Sequence, residues 1–169
     1  MRFALTAALA ASLVAAPSAQ AALPKPKSTT IKPGTSIAGV KIGMDPQAAL
    51  KLWGEGSNCV DTAAGRCTWK GSASQGSAYF EERGGKVIEV GIDAGQKANG
   101  ENVYKGPLVK WKDKKRIGLG TSQRTTAKAY KKGFPNGGGW QLNSGPRATL
   151  WSSSGGRNAS IAIALVANL

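Results

Sequence analysis

Two stretches decide the fold: YFEERGGKVIEVGID, residues 79–93, and LWSSSGGRNASIAIA, residues 150–164. Each places an aromatic residue, Phe80 or Trp151, ahead of a glycine pair, Gly84-Gly85 or Gly155-Gly156. After each pair comes a run with apolar residues at every second place: Ile88, Val90 and Ile92 in one, Ala159, Ile161 and Ile163 in the other. Period-two alternation around a glycine turn predicts a β-hairpin with one buried face. Gly84 and Gly155 lie 71 positions apart, so the hairpin is written twice.

Upstream of each hairpin the sequence predicts a short helix. Ile42-Gly43-Met44 leads into Asp45 and Pro46, and a helix carrying Ala49, Leu50 and Trp53 stops at Gly54. Ile117-Gly118-Leu119 leads into Thr121 or Ser122, and a helix carrying Thr126, Ala127 and Tyr130 stops at Gly133 and Pro135. Each start residue can accept a backbone N–H bond, and each glycine can take the left-handed turn that ends a helix. Helix start, helix stop, turn and strand phase thus recur in one order at nearly constant offset. The expected class is α+β, as two tandem copies of a helix-plus-antiparallel-hairpin sheet unit.

The boundaries follow. Arg2, the apolar run Phe3 to Ala16 and the Ala19-Gln20-Ala21 site have the pattern of a cleaved signal peptide over residues 1–21. The run is short of the roughly 20 residues of a spanning helix. Residues 22–36, rich in Pro, Lys, Ser and Thr, are expected to be a flexible lead-in. The first repeat then covers 37–93, a linker 94–107, and a basic second repeat 108–169. Export to a secreted or periplasmic location makes a bridge between the only cysteines, Cys59 and Cys67, the natural expectation.

This arrangement resembles the tandem fold of the β-lactamase inhibitory protein, and its single unit is similar to the small outer-membrane assembly lipoproteins. The carrying residues are Ile42, Gly43, Met44 and Gly54, then Ile117, Gly118, Leu119 and Gly133. The resemblance implies the repeated fold and, as one function, an inhibitor or adaptor that grips a protein partner.

Catalysis is disfavoured by the residue inventory. The chain has no His, which removes the commonest general base and the usual triads. Glu89 and Asp93 share a strand face but lie about 13 Å apart by strand rise, too far for a paired-carboxylate mechanism. No glycine run has the strand-to-helix context of a phosphate or dinucleotide loop, so no cofactor is expected, and two cysteines without His make no zinc site. The sequon Asn158-Ala159-Ser160 falls inside a predicted strand and is discounted.

Charge is the feature that points to function. The net charge is +14 and all nine acidic residues lie at or before Asp113. From Lys114 onward there are only cations. The expected binding surface comprises Trp111, Lys112, Lys114, Lys115, Arg116, Arg124, Lys128, Lys131 and Lys132. Cations interleaved with aromatics suit a phosphate- or carboxylate-bearing polymer. For an exported chain, an anionic envelope polymer or lipid headgroups are the expected partners, ahead of nucleic acid. The alternative partner is a protein.

Overall fold

The computed structural model describes residues 22–54, 59 and 65–168, so the expected signal peptide lies outside the described residues. Three short strands, β1 (Ile31–Lys32), β2 (Ser36–Ile37) and β3 (Val40–Lys41), form an antiparallel sheet that leads into helix α1 (Pro46–Trp53). Strands β4 (Arg66–Lys70), β5 (Ser77–Arg83) and β6 (Lys86–Asp93) follow, then a small hairpin of β7 (Gly95–Gln96) and β8 (Asn102–Val103). Helix α2 (Gln123–Ala129) precedes β9 (Phe134–Asn136), β10 (Gly139–Ser144), β11 (Arg147–Ser154) and β12 (Arg157–Leu165). The chain is therefore α+β. Its main sheet is antiparallel with seven strands in the order β4-β5-β6-β12-β11-β10-β9.

The sheet has one apolar face. Directly opposed residues in an antiparallel ladder share a face, so the register places Trp69, Ala78, Ile92, Ile161, Trp151 and Trp140 in one row. The core gathers on this side, with Trp53 of α1 meeting Trp69 edge-on at 5.2 Å and Trp111 at 5.7 Å. Trp53, Phe80 and Trp151 are buried, as their apolar phase requires. Cys59 and Cys67 are joined, with Cα atoms 4.4 Å apart, closing the segment between α1 and β4. Among the described residues no helix is long and apolar enough to cross a membrane.

Four expectations need correction. The segment 22–36 is not a free lead-in, because Ile31 pairs with Ile37, donates its N–H to Lys112 O at 3.0 Å and is 1% exposed. Residues 94–107 are not a bare linker, since they hold the β7–β8 hairpin. The inward phase of both long strands also shifts. Glu81 pairs with Glu89 but Glu82 with Val87, and Ser152 pairs with Ser160 but Ser153 with Asn158. Ile88 and Ala159 are thus the extra residues of two β-bulges, which reverse the faces beyond them. Val87 and Asn158, both fully buried, take the core-facing positions instead.

The fourth concerns the helix entries, which correspond two residues away from the expected frame. Gly43 N donates to Val87 O and Val87 N to Met44 O; Gly120 N donates to Asn158 O and Asn158 N to Thr121 O. Gly43 and Gly120 share the left-handed backbone, with φ of 85° and 79°. Asp45 caps Ala48 N and Ser122 caps Thr125 N. Gly39 (φ 89°) is matched by Arg116 (φ 64°). The pairs Gly43 and Gly120, Asp45 and Ser122, and Gly39 and Arg116 lie 77 positions apart, whereas Val87 and Asn158 lie 71 apart, so Gly118 does not take the place that Gly43 has. Nor does Gly133 stop α2, which ends at Ala129 with Tyr130 as its C-cap.

Candidate functional site

The cationic stretch divides into a turn and a helix. The turn is organised by Asp113, itself buried, whose Oδ1 accepts from Lys115 N at 2.7 Å and Ile117 N at 2.9 Å. An aspartate bonding the backbone two residues on is an Asx turn, and it lifts Lys114, Lys115 and Arg116 into solvent. Tyr130, just past α2, donates its hydroxyl to Asp113 Oδ2 and stacks on Trp151 at 4.9 Å. Burial, then the accepting Asp113 carboxylate, pushes the Tyr130 phenol well above its usual range, so it stays a neutral donor.

The turn is seated on the end of the helix. Lys115 Nζ donates to Ala129 O at 2.5 Å and lies 4.4 Å from the centre of the Tyr130 ring. A lysine on the last helical carbonyls also opposes the negative end of the helix dipole. On α2, Thr126 is the residue fully buried, while Arg124 and Lys128 are exposed. Lys131 and Lys132, directly beyond, are exposed as well. Arg124 and Lys128 stand one helical turn apart, where like charges repel by about 0.2–0.5 kcal/mol. The ion pairs among the described residues are Arg66–Glu81 and Lys97–Glu101, and neither involves this face.

The expected site residues therefore divide. Through Lys115 the turn reaches the C-terminal end of α2, the end that carries Lys128 and leads into Lys131 and Lys132, while Arg124 stands at the other end of the helix. Lys112 is half-buried, bridged to Thr30 and Gly118 through its backbone. Trp111 is corrected outright: at 2% exposure, packed on Trp53, it belongs to the core and offers no stacking surface. Its cationic neighbours Lys110 and Lys112 disguised it, although an apolar residue between lysines is what a strand or turn entering a core would show. Phe134, 43% exposed, is the aromatic accessible beside these cations. Two contributors escaped the sequence reading. Asp113 could have been found from its Asx-turn position, whereas Arg157, whose guanidinium donates to Gly120 O at 3.1 Å, carries no local signal.

No protein-family profile matches the sequence, and no curated protein does. Among solved structures, the chain is similar to YjgB, a DUF4309 family protein of Bacillus subtilis subsp. subtilis str. 168, with TM-score 0.49 and 9% identity over 76% of this chain and 84% of that one. It is also similar to an extracellular protein containing a SCP domain from Bacillus anthracis str. Ames, with TM-score 0.42 and 14% identity over 76% of this chain and 45% of that one. Likeness at this level carries no statement about activity.

Proposed function

We propose that this is an exported, non-catalytic binding protein that docks on an anionic cell-envelope surface or polymer through the turn Lys114–Arg116 and the exposed side of α2. The observation that carries the reading is the Lys115–Ala129 contact, which draws two separately encoded groups of cations together. The repulsion tolerated between Arg124 and Lys128, with no acid nearby in sequence, supports a surface kept for a polyanion. The bridge between Cys59 and Cys67 supports export, because disulfides persist in oxidising compartments. We also propose that the two halves are copies of one unit. The matched caps, left-handed residues and bulges favour this, as does the position of β6 and β12 at the centre of the sheet.

The test replaces Lys114, Arg124, Lys128, Lys131 and Lys132 with Gln, sparing Lys115 because it caps α2. Binding to phosphatidylcholine vesicles with and without phosphatidylglycerol is then measured at two salt concentrations. Each cation near an anionic surface contributes about 1 kcal/mol, so the five-fold variant should bind more than about a thousandfold more weakly. Wild-type affinity should fall steeply with salt. Equal binding by both proteins rejects the reading. Capture of a tight, salt-tolerant protein partner would favour the inhibitor or adaptor instead.

A further inference from the structure

The face of the main sheet away from the core carries a polar row. Register aligns Lys70, Ser77, Asp93 and Ser160 across β4, β5, β6 and β12, three consecutive strands and one from the far end of the chain. The whole row lines a cleft of about 650 Å³, completed by the loop 71–76 and the β7–β8 hairpin. That volume is in the range of small-molecule sites.

The walls are preformed. Gln96 N donates to Ala73 O at 2.7 Å, Gly71 N to Gly76 O at 3.0 Å, and Ala94 N to Ala159 O at 2.7 Å. A Cβ at Gly76 would strike the Asp93 carbonyl, and one at Gly95 the backbone of Ala73 and Ser74. Backbone therefore packs on backbone behind the cleft, and the side chains facing it are held by strands and short turns. Gln96 Nε2 and Asn102 Oδ1 are 3.3 Å apart across the β7–β8 hairpin, adding amide donors and acceptors at the rim.

Asp93 is the charged group set deepest in this wall. Its Oδ2 accepts from Ser77 Oγ at 3.0 Å, its one side-chain bond among the described residues. Burial holds its carboxyl above the usual range, outweighing the Ser77 bond and the attraction of Arg66. Arg66 is engaged elsewhere, on Glu81 at 2.9 Å and over the Tyr79 ring at 3.8 Å. The cleft thus offers an acceptor that gains from further O–H donors, among hydroxyls and amides and with the exposed Lys70 in the same lining.

We propose that this cleft binds a neutral, polyhydroxylated ligand, a short saccharide, with Asp93 accepting hydrogen bonds from two of its hydroxyl groups. The lining argues against other classes. Among the described residues no aromatic side chain lines it, so a flat base or ring has no platform. A small anion gains the exposed Lys70 but meets the deeper-set Asp93 carboxylate. A small cation must approach a chain of net charge +14, whose field repels it. Hydroxyl groups donating to a carboxylate form strong, charge-assisted bonds without that penalty. The site is separate from the basic face and independent of its function.

The experiment is a ¹⁵N amide titration of the oxidised protein with di-N-acetylchitobiose, cellobiose and trehalose, with putrescine as the cationic control, at moderate salt. At least one saccharide should shift the amides of Ser77, Asp93, Gln96, Asn102 and Ser160, leaving 114–132 unmoved. Loss of a hydrogen bond to a charged group should make Asp93→Asn bind at least about tenfold more weakly. Ser160→Leu, which fills the cleft, should abolish the shifts. Thermal melts of both variants show that they remain folded. Three outcomes overturn the proposal: no saccharide shifts these amides, putrescine binds here in their place, or Asp93→Asn binds as wild type.

Discussion

The buried polar contact between α2 and β12 can be tested by exchange for apolar residues. Thr126 of α2 meets Asn158 of β12, both fully buried, where the first half has the fully buried apolar residues Ala49 of α1 and Val87 of β6. Asn158 accepts from Gln123 Nε2 at 2.7 Å and donates to Gly118 O at 3.2 Å and Thr126 Oγ1 at 3.1 Å. At about 1 kcal/mol net per bond, Asn158→Val forfeits about 3 kcal/mol, of which the valine methyls recover about 1. The single variant should lose about 2 kcal/mol. Thr126→Ala should lose a similar amount, because it leaves the buried Asn158 amide short of an acceptor. The double variant installs at these positions the residue types of Ala49 and Val87, removes both partners of one bond, and should cost about 1 kcal/mol less than the sum. Urea unfolding of the oxidised protein, followed by tryptophan fluorescence, supplies the cycle. Additivity within about 0.3–0.5 kcal/mol would refute the reasoning, since that is the behaviour of uncoupled sites.

Burial raises Asp93, so the folded state holds its proton more tightly than the unfolded chain. This term favours folding below the unfolded value and is lost as pH rises through the folded one. Asp93→Asn should therefore melt higher than wild type at neutral pH, with the gap closing on acidification; a gap constant from pH 3 to pH 7 refutes the assignment. Gly43→Ala meets only backbone strain and should cost about 1 kcal/mol. Gly120→Ala adds a contact of 3.2 Å with Tyr104 and should cost more; equal losses in chemical denaturation would count against the geometry. Replacing Cys59 and Cys67 with Ser should lower stability by about 2.5 kcal/mol through the lost loop constraint, and an unchanged urea midpoint would contradict it.

Local chemistry was the legible part. Asp45 and Ser122 announce their helices, the glycine pairs their turns, and Phe80 and Trp151 their burial. The bulges were not legible, because Ile88 and Ala159 continue the apolar alternation and a count of period two has no means of seeing an extra residue. The entry frame misled for a related reason: Ile-Gly occurs before both helices, but only Gly43 and Gly120 need the left-handed backbone. Among the site residues, spacing correctly exposed Arg124 and Lys128 on α2. Contact between turn and helix depends on Asp113 and Tyr130, 17 positions apart, and the cleft on four strands spread from Lys70 to Ser160. Such distant pairings leave no local pattern.

The longest join between halves is a backbone ladder, Ile92 opposite Ile161 and Val90 opposite Ile163, at the middle of one continuous sheet. Neither half can therefore be excised cleanly. A fragment ending near Asp93, or one beginning near Lys105, would carry a long, apolar strand with unpaired amides along its new rim, a template for pairing with any similar strand. Such fragments should associate with each other or with themselves, and a protease nick between the halves should leave the two pieces travelling together. For the intact chain, each half serves as the other's edge protection.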